Sequence, residues 1–447
     1  MAKSTMFIFY NLLLAALAIL SLPWWLLQMR LPKYRAGLRE RLGSVPQRLK
    51  AAGSSTMKPS TMKPSAIWVH AVSVGEVLAV SQLIAALKSK YPDRQIFIST
   101  TTATGQALAR QRFGEDHVFF MPLDFGFAVR PYLKALRPQL LILAETEFWP
   151  NLLHLAGKRG VALATVNARI SDRSFPRYQK FKWFFSRVLS EMDLFLAQTT
   201  EDASRLRAIG AATERVRVSG NLKFDIRPST QSALVNDLRS ALNRDVPVIV
   251  CGSTAEGEEE FVLQAFKIVQ QKISSCVMIL APRHPERFER VAALISAAGI
   301  ALQRRSTWTA PQPVTPGIFL LDTVGELAAV YALADIAFVG GSLVPTGGHN
   351  ILEPAQYGAA IVVGPHTFNF REIVSLFEQG NAVRVATQET LGPLFLELLK
   401  QPEEREQLGH RAKDLFAHHA GATRRTLEAL TPLLANQAPA QQKRESQ

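Results

Sequence analysis

Cysteine is nearly absent from this sequence: only Cys251 and Cys276 occur among 447 residues. Each stands in an apolar run typical of a buried strand, "VIVCG" and "SSCVMIL". A disulfide framework or a thiolate metal site would need more cysteines at closer spacing. We therefore expect two packed, reduced thiols in a reducing compartment.

Acidic residues are in deficit. Lys and Arg number 51 against 37 Asp and Glu, which gives a formal net charge of +14. Such an excess favours an anionic partner, whether nucleic acid, acidic lipid headgroups or a phosphorylated substrate. No motif that interleaves aromatic and basic residues in the manner of a nucleic-acid-binding module is recognisable. The sequence therefore favours an anionic membrane surface over nucleic acid.

Only one hydrophobic run is long, and it lies at the amino terminus. Residues 6–29 are almost wholly apolar, which is long enough to cross the roughly 30 Å hydrocarbon layer of a bilayer. Only Lys3 precedes the run, and it is followed by Arg30, Lys33, Arg35, Arg39 and Arg41. By the positive-inside rule the remainder of the chain faces the cytoplasm, and this pattern argues against a cleavable signal peptide. We predict that residues 1–30 form a single membrane-anchoring helix.

A basic segment and a spacer follow the anchor, over residues 31–65. The end of this region, "GSSTMKPSTMKPS", is a tandem copy of Ser-Thr-Met-Lys-Pro. Its density of Gly, Ser and Pro is typical of a flexible linker.

Apolar strand-like segments then alternate with helical patterns, in two series. The first series is "AIWVHAV", "QIFISTT", "HVFFMPL", "QLLILAE", "VALATVNA", "LFLAQT" and "RVRVSGN"; the second is "VIVCGST", "VMILAPR", "GIFLLDT", "IAFVGGS", "AIVVGPH" and "AVRVAT". Such alternation predicts parallel sheets with helices on both faces. A chain of this length is also too long for one core.

We therefore predict an α/β protein with two doubly wound, Rossmann-like domains that face a cleft. The predicted ranges are 66–228 for the first domain, 229–245 for a linker that acts as hinge, 246–430 for the second domain and 431–447 for a polar tail. Ligands of such sheets bind at the carboxyl ends of the strands.

Glu76 follows the first predicted strand in "WVHAVSVGEV", directly behind a glycine. In the first turn of a helix a carboxylate interacts favourably with the helix dipole, so Glu76 could simply cap the helix. The same position is at the ligand-binding edge of the sheet. The stretch alone leaves both interpretations open.

Polar residues also follow the strands of the second series. Pro282 and Arg283 follow one strand, Gly325 and Glu326 follow another, and "FVGGSLVPTGGHNILEPA" supplies two glycine pairs before Asn350 and Glu353. Glycine-rich loops that lead into helices bind phosphates, although loops also use glycine for ordinary turns. Taken together these residues predict a nucleotide-sugar pocket, with Arg283 on the phosphate or base and Glu353 on ribose hydroxyls.

Several of these strings, in this order behind an amino-terminal anchor, resemble the 3-deoxy-D-manno-octulosonic acid (Kdo) transferases of Gram-negative lipid A assembly. They are "HAVSVGE", "ETEFWPNL", "NARISDRS", "GNLKFD", "APRHPERF", "GELAAVYALADIAFVGGS" and "GGHNILEPA". The resemblance spans about residues 30–425 and implies a GT-B fold. It implies inverting transfer of Kdo from CMP-Kdo to a primary hydroxyl of a lipid IV-A type acceptor, without a cofactor, at the cytoplasmic side of the inner membrane.

The resemblance also implies roles for individual residues. Glu76 would be the proton acceptor, and Glu145 and Lys223 would stabilise the transition state; Glu147 shares a strand face with Glu145 and could take its role. The residues implied for CMP are Pro282, Arg283, Val324, Gly325, Glu326, Asn350, Ile351, Leu352 and Glu353. No metal is expected, since the sequence has no Asp-x-Asp motif.

One further segment and two alternative functions complete the prediction. Residues 173–189 interleave aromatic and basic residues, as in a helix that lies in a membrane interface or, alternatively, an internal helix with a basic outer face. A UDP-sugar lipid glycosyltransferase of the same fold, or a non-catalytic membrane nucleotide-binding protein, would share much of this pattern.

Overall fold

The computed structural model describes residues 3–28, 35–53, 66–226, 232–243 and 245–435. It divides into two compact units, one of Met1–Ile226 with Ala420–Gln447 and one of Arg227–His419. The tandem spacer, most of the polar tail and part of the predicted linker lie outside the described residues.

The first unit contains a parallel sheet of seven strands in the order β3-β2-β1-β4-β5-β6-β7. The strands are β1 (Ala66–His70), β2 (Ile96–Thr100), β3 (Val118–Phe120), β4 (Pro138–Ala144), β5 (Ala162–Ala168), β6 (Leu194–Ala197) and β7 (Val216–Val218). The helices are α1 (Lys3–Gln28), α2 (Leu38–Arg41), α3 (Gln47–Gly53), α4 (Val74–Lys90), α5 (Ala103–Phe113), α6 (Gly126–Leu136), α7 (Pro150–Gly157), α8 (Phe175–Lys180), α9 (Lys182–Leu189) and α10 (Thr200–Ala208). Short 3-10 turns include Leu222–Asp225.

Both faces of this sheet are buried. Along β1, Trp68 points into one apolar cluster while Ile67 and Val69 point into another. Alternate residues of a strand face opposite sides, so a strand buried on both sides must be apolar throughout. This explains why the strands of the sequence read as continuous apolar runs.

The second unit repeats the architecture, with strand order β10-β11-β9-β8-β12-β13-β14. The strands are β8 (Val248–Thr254), β9 (Val277–Pro282), β10 (Leu302–Arg304), β11 (Gly317–Leu320), β12 (Ile336–Val339), β13 (Ala360–Val363) and β14 (Arg384–Val385). The helices are α11 (Ala233–Ala241), α12 (Glu259–Gln270), α13 (Phe288–Ala297), α14 (Leu327–Val330), α15 (Leu352–Ala355), α16 (Arg371–Gln379), α17 (Leu391–Lys400) and α18 (Pro402–His419). Both cysteines are buried in this unit.

The predicted alternation of strands and helices is confirmed. Every predicted strand segment contains a strand of the structure, and one strand, Leu302–Arg304, has no predicted counterpart. All three of its residues are only half-buried, and its sequence Leu-Gln-Arg carries too little apolar pattern to be recognised.

The last described helix, α19 (Ala422–Ala435), groups with the first unit. Leu430 and Leu434 are buried in the same cluster as Val80 and Leu87 of α4. Asp225 accepts the backbone N–H groups of Gly421 and Thr423 at the start of the helix. The predicted second domain, 246–430, therefore extends past the boundary that the packing sets at His419. An amphipathic helix does not reveal from its sequence which of two similar sheets it covers.

Helix α1 is, among the described residues, the one helix long and apolar enough to cross a membrane. Within Thr5–Trp25, 18 consecutive residues have a mean hydropathy of 2.1, and only 11% of them are buried. Its length and composition agree with the predicted anchor.

The aromatic and basic stretch 173–189 is not one helix. It forms α8 and α9, which are separated at Phe181, where the backbone leaves the helical region. Tyr178, Phe184 and Phe185 pack against the core, whereas Phe181 and Trp183 are exposed. The packed aromatic residues agree with the internal interpretation, and contact of the exposed ones with a membrane stays a prediction.

Candidate active site

Glu76 lies at a topological switch point of the first sheet. Strand β1 pairs with β2 on one side and with β4 on the other, and the chain leaves these strands in opposite directions along the sheet. Glu76 follows β1, and Glu145 follows the neighbouring β4. Ligands of open α/β sheets bind in the crevice at such a point.

The Glu76 carboxylate is bound into the first turn of α4. It accepts the backbone N–H of Val72 at 2.8 Å and the hydroxyl of Ser73, the residue before the helix, at 3.1 Å. The capping interpretation is thus correct as a description of its contacts. These contacts also fix the carboxylate in one orientation.

The electrostatic environment gives Glu76 a second property. Burial, and to a smaller extent the charges of Glu145 and Glu147, raise its pKa to about 7 against the hydrogen bonds from Val72 and Ser73. An exposed carboxylate at the start of a helix would keep a low pKa, so the rise at Glu76 comes from its burial. A pKa near the working pH is what a general base requires.

Glu145 has a strained backbone. Its φ is 58°, in the left-handed region that non-glycine residues seldom adopt. Its N–H donates to Val166 O at 2.9 Å, and its carbonyl accepts the hydroxyl of Thr165, both on the adjacent β5. Such conformations cost about 1–3 kcal/mol and cluster at functional sites. Glu147 is partly buried, and burial followed by Glu145 raises its pKa.

Lys223 is positioned through a second left-handed residue, Asn167, whose φ is 54° at the end of β5. The Asn167 Oδ1 atom accepts the N–H of Leu222 at 2.9 Å, and Asn221 Oδ1 accepts the N–H of Lys223 at 3.0 Å. The turn that carries Lys223 is thereby attached to the end of β5, one strand away from Glu145. Asn167 and Asn221 were missed as site residues, although both occur in the strings that carry the family resemblance.

In the second unit, Pro282 and Arg283 follow β9. Pro282 is buried opposite Thr254 of β8, and the N–H of exposed Arg283 donates to Thr254 O at 3.0 Å. Burial, then Arg283 and His284, lower the pKa of His349 to about 4, which keeps that imidazole neutral. Arg283 therefore lies within electrostatic range of the glycine-rich loop.

The end of that loop carries Asn350 and Glu353. Asn350 Oδ1 accepts the N–H of Leu352 at 3.2 Å, and its amide donates to Glu353 Oε1 at 3.4 Å. Burial raises the pKa of Glu353, while Asn350 and Arg283 oppose that rise. The side chains of Ile351 and Leu352 are buried, so only their backbone groups are available to a ligand. The helix predicted here is a single turn, Leu352–Ala355.

A third loop carries Val324, Gly325 and Glu326. Val324 is 77% exposed, and Gly325 has a φ of 92°. The Glu326 carboxylate accepts a hydrogen bond from Arg305 Nη2 at 3.1 Å and another from the hydroxyl of Thr323. The predicted CMP residues therefore lie on three loops of one unit, after β9, β11 and β12.

Glu258 is the site-shaping residue that the sequence analysis missed. It is fully buried at the switch point between β8 and β12 and accepts four backbone N–H groups, from Ala255 at 2.8 Å, Gly341 at 2.6 Å, Ser342 at 2.8 Å and Leu343 at 2.7 Å. In the first glycine pair, Gly341 therefore donates its N–H to a protein carboxylate and Gly340 donates its N–H to Gly252 O at 2.8 Å, which corrects the interpretation of that pair as part of a phosphate cradle. The three consecutive glutamates, 258–260, gave no sign that Glu258 binds this loop, while Glu259 is buried in an ion pair with Arg287 and Glu260 is exposed.

The described residues contain no group of three or more His, Cys, Asp or Glu side chains arranged to hold a metal ion. The site is instead built from single carboxylates, one lysine and one arginine.

Two Rossmann-like units, one with a buried carboxylate at its switch point and one with ligand-type loops, define a GT-B glycosyltransferase. A family model described as "Glycosyl transferases group 1" matches residues 260–415, and one described as "3-Deoxy-D-manno-octulosonic-acid transferase (kdotransferase)" matches residues 36–226. The chain belongs to the Kdo transferase family and is an enzyme of that class.

Relatives of known activity cover nearly the whole chain. The chain is 36% identical to the 3-deoxy-D-manno-octulosonic acid transferase of Haemophilus influenzae over 92% of its own length and 94% of the relative. It is 37% identical to that of Bordetella pertussis, over 94% and 98% of the two chains. The fold is also similar to the UDP-GlcNAc 2-epimerase of Neisseria meningitidis, with a TM-score of 0.55 at 12% identity, over 82% of this chain and 100% of that one.

Proposed function

We propose that this Kdo transferase moves Kdo from CMP-Kdo to a primary hydroxyl of a lipid IV-A type acceptor, with inversion at the anomeric carbon. The observation that carries the proposal is the buried Glu76 carboxylate, fixed at the switch point with a pKa near 7. The net charge of +14 is consistent with an acceptor that bears phosphates and with an anionic membrane. The apolar α1 supports a place at the cytoplasmic face of the inner membrane.

In the proposed step, Glu76 accepts the proton of the acceptor hydroxyl as its oxygen bonds to the anomeric carbon. The bond from that carbon to the phosphate oxygen of CMP breaks, and CMP leaves with the electron pair. Attack opposite the leaving group inverts the configuration. A base so placed contributes typically 10²- to 10⁴-fold to the rate.

Glu145 and Lys223 are proposed to stabilise the charges that develop. The sugar gains oxocarbenium-like positive charge, which a carboxylate stabilises, and the departing phosphate gains negative charge, which an ammonium stabilises. The left-handed backbone at Glu145 and the hydrogen bonds of Asn167 and Asn221 fix the backbone that carries both groups, which supports this role because preorganised charges are the effective ones.

CMP is proposed to bind the second unit. Arg283 would pair with the phosphate, and Glu353 and Asn350 would bind ribose hydroxyls. Pro282, the backbone of Ile351 and Leu352, and the loop of Val324, Gly325 and Glu326 would complete the pocket. Glu258 would hold the glycine-rich loop in shape.

The test is to incubate the full chain in membranes with CMP-Kdo and a tetra-acylated, bisphosphorylated acceptor, and to analyse the lipid by mass spectrometry. A mass increase by one or more Kdo residues, unchanged by EDTA, is expected. Inhibition by CMP but not by UDP at equal concentration distinguishes this donor from a UDP-sugar. An unmodified acceptor, or a requirement for Mg²⁺, would contradict the proposal.

A further inference from the structure

The amino-terminal end of α1 is docked on the first unit. Met6 and Phe7 are buried in its apolar core, and the Phe7 ring stacks on His154 with centroids 3.9 Å apart. Tyr10 donates its hydroxyl to Asp124 Oδ2 at 2.9 Å. The amides of Asn11 and Asn151 donate to each other at 3.1 and 2.9 Å.

The segment that follows α1 contacts the domain next to Asp124, the residue that binds Tyr10. The N–H of Leu123 donates to Arg41 O at 2.8 Å, and the Arg41 guanidinium lies over the ring of Phe120. Leu123 is the neighbour of Asp124, which binds Tyr10. The amino-terminal part of α1 and the segment that follows the helix therefore contact adjacent residues of one domain.

These contacts exclude a membrane-crossing α1. Tyr10 lies in the first third of the apolar stretch, Thr5–Trp25. If the helix crossed a layer of roughly 30 Å, its two ends would face opposite compartments, and only one of them could contact the domain. Gln28, at the end of α1, and Arg35 are seven residues apart in the chain, a separation of at most about 25 Å, which is also too short to recross the membrane.

Beyond Asn11 the surface of α1 is apolar and exposed, as expected of a helix that contacts lipid. Leu12, Leu20 and Leu27 are 65%, 78% and 61% exposed, which is far more apolar surface than a soluble monomer presents in one place. Leu12–Leu27 spans about 24 Å at 1.5 Å per residue. That length reaches into a bilayer obliquely without crossing it.

The domain surface around the docking point continues this apolar surface. Leu123 and Phe127, 38% and 62% exposed, lie beside Asp124, and Trp183, 47% exposed, is next to Phe184, whose ring is 5.9 Å from that of Tyr10. Arg39 and Arg130 are exposed on α2 and α6, the helices beside Leu123 and Phe127, where they can contact anionic headgroups.

We propose that α1 is a monotopic anchor of an anionic bilayer. It is immersed only in the leaflet that faces the domains, and its amino terminus lies on the same side of the membrane as the domains. The inference rests on the membrane attachment proposed above and is independent of the transfer chemistry. The residues that hold α1 are also connected to the candidate active site of the first unit. Asp124 accepts the N–H groups of Asn151 and Leu152 at the start of α7, which directly follows the segment of Glu145 and Glu147.

Disulfide trapping in native membranes tests the inference. Asn11→Cys is combined with Asn151→Cys, and Phe7→Cys with His154→Cys in a second protein, in case the first pair disturbs α7. Under mild oxidation both pairs are expected to form a disulfide, seen as a gel shift that dithiothreitol reverses. The native thiols will not interfere, because burial raises the pKa of Cys276 to about 12 and that of Cys251 well above its usual value.

Two further pairs serve as controls. Asp225→Cys with Thr423→Cys joins α19 to the same unit and must cross-link if the method works. Leu20→Cys with Asn151→Cys must not, because Leu20 is nine residues further along α1, about 13 Å. If both test pairs stay reduced in membranes while the first control forms, or form only in detergent, α1 crosses the bilayer and the inference is wrong. A variant without transferase activity can still cross-link, so the two proposals fail separately.

Discussion

Glu76 has the contacts of a capping residue and the environment required of the proposed base, two roles that the sequence presented as alternatives. Its carboxylate accepts two hydrogen bonds at the start of α4, and it is also buried near two other carboxylates. The hydrogen bonds orient the group, and burial with the neighbouring charges adjusts its affinity for a proton. A capping position at the carboxyl end of a strand is therefore a means of building a base.

Replacing Glu76 by Gln is expected to abolish most transfer while the protein remains folded. Gln keeps the size of the side chain and one acceptor oxygen but cannot accept the hydroxyl proton, so kcat should fall by about 10²- to 10⁴-fold. Kdo transfer from CMP-Kdo, measured beside nucleotide binding, checks this. Wild-type transfer by a folded, CMP-binding Glu76→Gln protein would end the assignment.

The pH dependence of transfer is expected to report the Glu76 carboxylate. Because the ionised form is the base, activity should rise with pH and level off above about 7, the pKa of Glu76. Glu145 raises that pKa, so in Glu145→Gln the rise should move to lower pH on the residual activity. Glu147→Gln is the matched control and should move it less, since Glu145 has the larger effect. An unchanged profile in both variants would assign the titration to another group.

Glu258 is expected to be essential for the second unit, although it need not touch a ligand. In Glu258→Gln one acceptor oxygen becomes an NH₂ group that faces backbone donors, so two of the four hydrogen bonds are lost. We expect a loss of about 2–4 kcal/mol in the free energy of unfolding, with weaker CMP binding, measured by denaturant titration and calorimetry. Exposed Glu260→Gln is the control and should lie within about 0.5 kcal/mol of the wild type. Equal stability of both variants would contradict this role.

At the scale of elements, the packing of α19 decides where the first unit ends. Leu430 and Leu434 complete the core beside α4, although 193 residues of the second unit, Arg227–His419, intervene in the chain. A protein truncated after the first series of strands would leave that core exposed.

Shortening Leu434 to Ala is expected to destabilise the first unit. Removal of a buried Leu side chain costs about 2–5 kcal/mol, and Leu434 is only 1% exposed. The half-buried neighbour Leu433→Ala should cost clearly less. Denaturant unfolding followed by the fluorescence of Trp68, which is buried in this unit, measures both. Identical stabilities would show that α19 is not held as described.

At the scale of the whole molecule, the two halves of the proposed reaction lie on different units. The base and the stabilising charges belong to the first, and the nucleotide loops belong to the second. Binding of nucleotide and removal of a proton should therefore be separable by mutation.

Calorimetric titration with CMP is expected to distinguish the units. Arg283→Ala should weaken binding by about 10- to 100-fold, as expected when a hydrogen bond to a charged group is lost. Glu76→Ala should leave the affinity almost unchanged. If Glu76→Ala lost affinity and Arg283→Ala did not, the assignment of donor and acceptor sides would be reversed.

The sequence by itself determined the repeated α/β architecture, the apolar anchor and the positions of Glu76, Glu145, Lys223 and Arg283 after strands. These properties follow from local periodicity and from the rule that ligands bind at the carboxyl ends of parallel strands. The family strings added the roles, which remain proposals for the individual residues.

Only the tertiary structure decided which carboxylate of 258–260 binds the glycine-rich loop, which sheet α19 covers, and where α1 lies. Each depends on contacts between residues far apart in the chain: Glu258 with Gly341, Leu434 with α4, and Tyr10 with Asp124. Hydropathy measures how apolar a helix is but not what its ends touch. For that reason the sequence predicted an anchor, and the contacts of Tyr10 and Arg41 were needed to infer how it meets the membrane.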